Sequence, residues 1–523
     1  MHQQYSDEEW NPDEQQKQQP GGDVGVKAQS QGVQHSQEVK DKKMTLEEIK
    51  QSGRAERQRR REERRRQQSD SDSESEYLVG KLAEIALTVK EPDLIEGTGL
   101  IYDERMLKHE NLWDKDYPEN PSRISGPFQR CSELGLTERC IRLEAQHSTE
   151  DMVLLQHSQE LIEKLKRTTE MSTEELKAEA IKYDSVYFNQ ATYECSLLSL
   201  GSAVELMEQI LKKKVRNGMA LIRPPGHHAM SEEFCGFCYF NNVAIAAKHA
   251  LENLKLKKIL IIDWDVHHGQ GTQQMFYNDP RVLYFSIHRY EFGKFWPHLR
   301  ESDYDFIGED KGMGYNINVP LNQTGMADHD YLAIFHQVLM PIAFEFDPEL
   351  VLISAGYDCA IGCPEGEMGV TPAAFAHLTH KVMSLAQGRV AVILEGGYCL
   401  KSLSESAALT LRTLLGDPCP RIPPSQEPCD SVTESILNVI KVLRPYWKCL
   451  QYQEFTSDPC PFEEVNLSPP KPDIILITEE NKPKEYPESL EPTKVEEYYK
   501  VEKRLSPVID RIIANTDLSK AKN

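Results

Sequence analysis

Five short apolar runs constrain the fold of this chain more than any other feature. They are "GMALIRPPGHH" from Gly218, "KKILIIDWDVHHG" from Lys257, "RVLYFSIH" from Arg281, "ELVLISAGYD" from Glu349 and "RVAVILEGGY" from Arg389. Each is rich in Val, Ile and Leu without polar alternation, as a strand buried on both faces of a parallel sheet would be. Each ends in chemically loaded residues. Helical stretches such as "NNVAIAAKHALENLK" and "TPAAFAHLTHKVMSLAQG" lie between them. Strand, loop and helix in repetition predict an α/β domain with a central, mostly parallel sheet. In such sheets the ligand site forms at the carboxyl ends of the strands, so the loaded turns are expected to meet on one side.

These elements set one globular domain over 98–450. Residues 1–90 are rich in Gln, Ser, Glu, Lys and Arg and poor in aromatics. Such a composition cannot bury enough apolar surface to fold alone, so disorder is expected there. Within it, "RAERQRRREERRR" (Arg54–Arg66) reads as a charged helix in solution, an import signal, or a clamp on an acidic surface such as a microtubule. The serine run "SDSDSESE" (Ser69–Glu76) suits phosphorylation, which would offset the basic charge. Leu78, Leu82, Ile85 and Leu87 follow the spacing of a leucine-rich export signal, which implies an export receptor as partner. Pro, Glu and Lys dominate 454–523, which reads as a charged, largely disordered tail or linker.

A net charge of -23 argues against general nucleic-acid binding, and no sequence-specific nucleic-acid contact is expected. The N-terminus lacks the apolar stretch of a signal peptide, and no apolar run has the length of a membrane span. A soluble, mainly cytoplasmic protein with reduced thiols is expected, shuttling to the nucleus.

The chemistry starts at His227 and His228, which follow a Pro-Pro-Gly turn. Adjacent residues point in different directions, so the two cannot share one apolar face. They read as a turn presenting two imidazoles to a shared target. In "IIDWDVHHGQGTQ", Asp265 and His267 stand two apart at a strand end and are expected on one face. Asp358 of "SAGYD" is available from another strand. Two carboxylate oxygens and one imidazole nitrogen, with a position left open, describe a catalytic zinc site and not a structural one. Each Asp taken alone reads as a helix N-cap; the set points to the metal.

Pro-Pro-Gly-His-His, Asp-Trp-Asp-Val-His-His-Gly-Gln-Gly-Thr, Ser-Ala-Gly-Tyr-Asp and Leu-Glu-Gly-Gly-Tyr, in this order, resemble the zinc-dependent histone deacetylase family over 98–450. "LIRPPGHHA", "FSIHRYEFGKFWPHL" and "LLGDPCP" put the likeness in its class IIb branch, with the first catalytic domain of that branch's tandem-domain member. The resemblance implies a three-layer arginase/deacetylase-type fold. It also implies hydrolysis of the acetyl amide of N6-acetyl-lysine in proteins such as tubulin or histones.

The resemblance assigns roles residue by residue. One catalytic Zn²⁺ would sit on Asp265, His267 and Asp358. His228 would be general base and then acid, with His227 as its electrostatic partner, oriented by Asp263. Other branches of the family often pair the second histidine with an Asp; here that position is Gln270, which should leave His228 less basic. Tyr398 would donate to the oxyanion, on a loop freed by Gly396 and Gly397. Phe237 and Trp296 match the two walls of an acyl-lysine tunnel, and Gly236 belongs to the same lining. Cys235 and Cys238 form a C-x-x-C with no second pair at matching spacing and read as tunnel-loop residues. Asp263, Asp265, His267, Ser286 and Ile287 match an inner, structural K⁺ site.

Glu365, in "CPEGEM", departs from this pattern at the expected tunnel mouth. The vertebrate first domain carries Lys there, and the polyamine-deacetylating branch carries Glu. A carboxylate at the mouth would attract the cationic body of an acetylated polyamine. That branch also narrows its tunnel with a Pro-Glu-Cys-Glu-type insertion, and "NLWDKDYPENPSRI" shows none. A protein-lysine substrate is the first expectation and an N-acetylpolyamine the alternative. A catalytically idle acetyl-lysine-binding scaffold is a third reading, which the filled catalytic positions argue against.

The leucine spacing carries its own test. Leu82→Ala combined with Leu87→Ala should move a tagged full chain into the nucleus, read by imaging; a wholly cytoplasmic double variant removes the export reading.

Overall fold

Val, Ile and Leu runs do form strands here, in a computed structural model that describes residues 97–422 and 426–451. The basic run at 54–66, the export-like leucines at 78–87 and the tail at 454–523 lie outside the described residues. The strands are β1 (Thr98–Tyr102), β2 (Ile141–Arg142), β3 (Asn217–Leu221), β4 (Ile259–Asp263), β5 (Val282–Arg289), β6 (Asn316–Leu321), β7 (Leu350–Ala355) and β8 (Val390–Leu394). They make one eight-stranded sheet in the order β2-β1-β3-β8-β7-β4-β5-β6. Every neighbouring pair is parallel.

The five runs legible in the sequence are β3, β8, β7, β4 and β5, and they are consecutive neighbours in the sheet. All are buried along their length except Arg289 at the end of β5. Helices cover the sheet: Thr192–Leu211 packs on β1, β3 and β8, Asn242–Glu252 on β7, and Leu400–Leu414 on β3. Two helices expected from the sequence are present, at Asn242–Glu252 and Pro372–Val382. Asn241 caps the first by accepting from the Ala244 amide, and Thr371 caps the second by accepting from Ala374. Among the described residues, no helix is long and apolar enough to cross a membrane.

The outer strands are less apolar for physical reasons. β2 has two residues, both exposed. β6 contains Pro320, and β6 pairs only with β5, so the missing amide leaves no ladder bond unmade.

Parallel register then places the chemistry. Asp263, at the end of β4, stands opposite Ser286 of β5 and Ser354 of β7. Beyond the same edge follow His227 and His228 after β3, Asp265 and His267 after β4, Asp358 after β7 and Tyr398 after β8.

The sheet centre should dominate stability. Ile353 on β7 is fully buried, so Ile353→Ala should lower unfolding free energy by about 2–5 kcal/mol, whereas Ile141→Ala on β2, where Ile141 is exposed, should stay within about 0.5 kcal/mol. Urea titration of both variants checks the contrast.

Candidate metal and catalytic site

Asp265, His267 and Asp358 each turn one ligand atom to within 4.8 Å of the others, and all three are buried. His267 Nδ1 lies 3.2 Å from Asp265 Oδ1 and 3.2 Å from Asp358 Oδ2. The expected strand pleat is not what aligns Asp265 with His267. β4 ends at Asp263, and the chain then curls. Asp263 Oδ1 accepts from the Asp265 amide at 3.2 Å, and Asp265 Oδ1 accepts from the His267 amide at 2.9 Å. Two successive side-chain-to-backbone turns of this kind replace the pleat and still aim both groups at one point. Asp358 Oδ1 is held in turn by the Val266 amide at 2.8 Å.

The donor set fits a divalent metal. Burial, with the neighbouring Asp265 carboxylate, pushes Asp358 up to about 7. Burial opposes charge on His267, yet the carboxylates of Asp265 and Asp358 lift it to about 10. A buried pocket this anionic calls for a cation, and two carboxylate oxygens plus one imidazole nitrogen suit zinc with an open position.

The imidazoles of His227 and His228 lie side by side, ring centroids 3.9 Å apart. Their partners differ. His227 Nδ1 is 3.0 Å from Asp263 Oδ2, and His227 Nε2 is 3.7 Å from Asp265 Oδ2. Burial lowers its basicity, but the carboxylates of Asp263 and Asp265 outweigh that and push it up to about 10. Tyr284, which the sequence did not single out, donates to the same Asp263 oxygen at 3.0 Å. His228 Nδ1 is 2.7 Å from the amide oxygen of Gln270. Burial and the neighbouring His227 and His267 push His228 well below the usual histidine range, and the neutral Gln270 does little to restore it.

Tyr398 is nearly buried on the loop after β8. Burial and the carboxylates of Asp265, Asp358 and Glu365 hold its hydroxyl well above the usual phenol range, so it remains a donor. A Cβ on Gly396 would stand 2.5 Å from oxygens of both Asp265 and Asp358, and Gly397 adopts a φ of 119°. The Gly-Gly pair therefore makes room for the metal carboxylates and supplies the left-handed backbone.

The expected lining residues meet this cluster. Phe237 sits edge-on to Tyr398 at 5.7 Å and to Tyr117 at 5.4 Å. Trp296 sits edge-on to His228 at 4.7 Å and to His267 at 5.7 Å. A Cβ on Gly236 would come within 2.5 Å of the His228 ring, so only glycine fits there. Cys235 and Cys238 are free thiols, paired through their backbones. Glu365 is partly exposed. Burial raises its carboxyl while His267 and Arg289 lower it, which places it in the field of the metal residues. Ser286 and Ile287 lie on β5 beside Asp263, with Ser286 Oγ 2.8 Å from His288 Nδ1.

Several residues at the site escaped sequence reasoning. Phe295 stacks on His267 at 5.2 Å, and Asp184 accepts from Trp296 Nε1 at 2.7 Å. Glu395 accepts from the Gly226 and His227 amides at 2.7 and 3.2 Å and ties the β8 turn to the β3 turn. Burial pushes it up to about 7. Its place in "LEGGY", one residue before the glycines, was the available signal.

Residues 117–414 match the model of the histone deacetylase domain. The chain is 50% identical over 361 residues to the zebrafish (Danio rerio) "Polyamine deacetylase HDAC10", covering 69% of this chain and 54% of that protein. It is 40% identical over 376 residues to "Histone deacetylase clr3" of Schizosaccharomyces pombe, covering 70% and 55%. The chain thus spans about half the length of the curated relatives it matches. Among solved structures, "Crystal Structure of HDA15 HD domain" superposes with a TM-score of 0.63 at 35% identity, covering 68% of this chain and 96% of that one. The parallel sheet and this likeness identify the arginase/deacetylase-type α/β fold.

The metal fit is directly testable. Elemental analysis should find about one zinc per wild-type chain and almost none in His267→Ala, whose deacetylation should fall below detection. A variant that keeps stoichiometric zinc rules out this ligand set.

Proposed function

This chain belongs to the histone deacetylase family, and from that premise we propose that it hydrolyses the acetyl amide of N6-acetyl-lysine in proteins, releasing acetate. The carrying observation is the convergence of Asp265, His267, Asp358, His228 and Tyr398 between the rings of Phe237 and Trp296 and the sheet edge. Asp265, His267 and Asp358 would hold one zinc ion, which supplies a Lewis acid to polarise the amide carbonyl and acidify a water.

The chain's own residues do the rest. His228 Nδ1 faces an amide oxygen, which can only accept, so Nδ1 carries a proton and Nε2 offers a lone pair. That lone pair takes a proton from the attacking water as the C–O bond forms. It returns the proton to the amine nitrogen as the C–N bond breaks. The products are acetate and a protonated amine. His227, oriented by Asp263, adds electrostatic support. The Tyr398 hydroxyl donates to the oxygen that gains charge. Phe237 and Trp296 would flank the four-carbon stem of lysine and keep water away. A structural K⁺ beside Asp263, Asp265, His267, Ser286 and Ile287 belongs to the same reading, since a buried carboxylate among backbone carbonyls suits a hard cation.

Two features at the mouth favour different substrates. Residues 111–124 lack the insertion that narrows the polyamine branch, which leaves room for a polypeptide and supports the protein reading. Glu365 supports the second reading, an N-acetylpolyamine, because its carboxylate would attract a second positive charge. Relatives at 50% identity named as polyamine deacetylases favour that second reading too, while those at 40% are named as histone deacetylases. Our protein reading rests on the missing insertion, and the names of the relatives at 50% identity support the polyamine reading. Tubulin and histones are the substrates we propose. We further propose mainly cytoplasmic residence through Leu78–Leu87 and an acidic-surface contact through Arg54–Arg66.

The experiment compares kcat/KM for a neutral acetyl-lysine peptide, a basic-flanked one and N8-acetylspermidine, at two salt concentrations. Wild type should favour the peptides, the basic one most. Glu365→Lys should cost the basic peptide roughly 5- to 30-fold and spare the neutral one. A wild-type preference for N8-acetylspermidine, abolished by Glu365→Lys, replaces the first reading with the second.

A further inference from the structure

A buried ion cluster packs against Tyr398. Glu119, Arg123 and Arg223 are each fully buried. Glu119 Oε1 accepts from Arg123 at 2.9 Å and from Arg223 at 2.9 Å. Glu119 Oε2 accepts from Arg223 at 2.6 Å and from the Tyr187 hydroxyl at 2.8 Å. The two arginines lead to different halves of the site. Arg123 donates to the Gly397 carbonyl at 2.9 Å and also to the Glu395 carbonyl, so it grips the loop that carries Tyr398. Its guanidinium carbon lies 4.9 Å from the centre of the Tyr398 ring. Arg223 immediately precedes the Pro-Pro-Gly turn to His227 and His228. It also donates to the Tyr187 hydroxyl at 2.8 Å and to the carbonyls of Met106, at 3.0 Å, and His109.

Stability alone does not explain this arrangement. Well-packed apolar side chains hold a core at least as well as a buried ion cluster. What the ions add is a fixed distance between two chain segments that are remote in sequence. A glutamate at 119, just before the helix Ser122–Glu133, reaches Arg123 four residues ahead and Arg223 more than a hundred residues away. Two guanidinium groups share this one carboxylate, and that of Arg123 lies beside the Tyr398 ring.

We propose that Glu119 is a positioning residue: by holding Arg123 and Arg223 on one carboxylate, it sets the Tyr398 hydroxyl against the His227–His228 pair. This rests on the reading of Tyr398 as the oxyanion donor. Glu119→Gln keeps the shape and removes the shared charge, so one guanidinium is released and the loop after β8 loses its register.

The test uses the full, zinc-loaded chain and whichever of the acetyl-lysine peptide and N8-acetylspermidine it turns over better. In Glu119→Gln, kcat should fall about 10- to 100-fold, the range expected for misplacing a reacting group, while KM and zinc content stay within about threefold of wild type. A purely structural role would move the melting transition and the active fraction, and its effect would multiply with that of any other variant. Positioning predicts otherwise: in a Tyr398→Phe background, adding Glu119→Gln should cost less than about threefold more, because the hydroxyl it places is gone. Near-wild-type kcat in Glu119→Gln, or full multiplication of the two losses, overturns the proposal. Near-wild-type kcat in Tyr398→Phe alone overturns the donor reading and the proposal with it, and that single variant tells the two failures apart. Should Glu119→Gln not fold, Arg123→Lys takes its place. Lysine keeps the charge, but its compact ammonium cannot span the separated acceptors that the planar guanidinium reaches through Nε, Nη1 and Nη2, so the same kcat loss and the same non-additivity are expected, and unchanged kcat overturns the proposal.

Discussion

Parallel pairing is the constraint on which the rest depends. In a parallel sheet every strand delivers its carboxyl end to the same edge, and neighbours stand about 4.8 Å apart. Residues just past the ends of adjacent strands therefore fall within ligand distance without long loops to carry them. Here the two metal carboxylates come from β4 and β7, which are neighbours, and the histidine pair and Tyr398 come from β3 and β8, which are also neighbours. The β7–β8 pairing joins the two halves. One half would hold a cation, and the other would move a proton and cradle a developing negative charge.

Each half solves the problem of buried charge in its own way. On the metal side, Asp265 and Asp358 take backbone amides from Gly396, His267 and Val266, yet remain anionic enough to hold His267 far above its usual basicity. That excess is what a divalent ion would neutralise. On the proton-transfer side the carboxylates have partners already. Glu395 accepts two amides of the β3 turn, and Glu119 is shared between two arginines. A buried charge with a missing partner is costly, so a fully bonded carboxylate acts as a rigid joint. A carboxylate left short of positive charge acts as a site.

How far the sequence could be read follows from the same physics. The five central strands were legible because burial on both faces demands unbroken Val, Ile and Leu. β1, β2 and β6 were not: β1 offers only Leu100 and Ile101 as an aliphatic run, β2 has two residues, and Pro320 interrupts β6. At the site, the motif residues His227, His228, Asp263, Asp265, His267, Gln270, Asp358 and Tyr398 all come together. The local reason was misread for Asp265 and His267, where side-chain turns replace the pleat, because Asp263 accepts a backbone bond that ends the strand. Phe295, Asp184, Tyr284 and Glu119 were invisible as site residues, and Glu395 was marked only by its place just before the glycines. Each has a partner remote in sequence that its own neighbourhood does not announce.

What the sequence determined by itself was a parallel α/β domain and the residues that carry its chemistry. Hydrophobic runs and loaded turns are local patterns, set by what a doubly covered strand must bury and what its end can expose. Which of those turns would be neighbours was decided only by tertiary structure, because strand order depends on how helices pack across the sheet and not on any single segment. The same holds for the clasp of Glu119, Arg123 and Arg223. Glu119 and Arg123 read as ordinary charged residues and Arg223 as the end of an apolar run, and only the fold makes one carboxylate the shared partner of two arginines. The position of Glu365, half-buried and in the field of His267 and Arg289, is likewise a fact of folding that its own stretch of sequence does not announce.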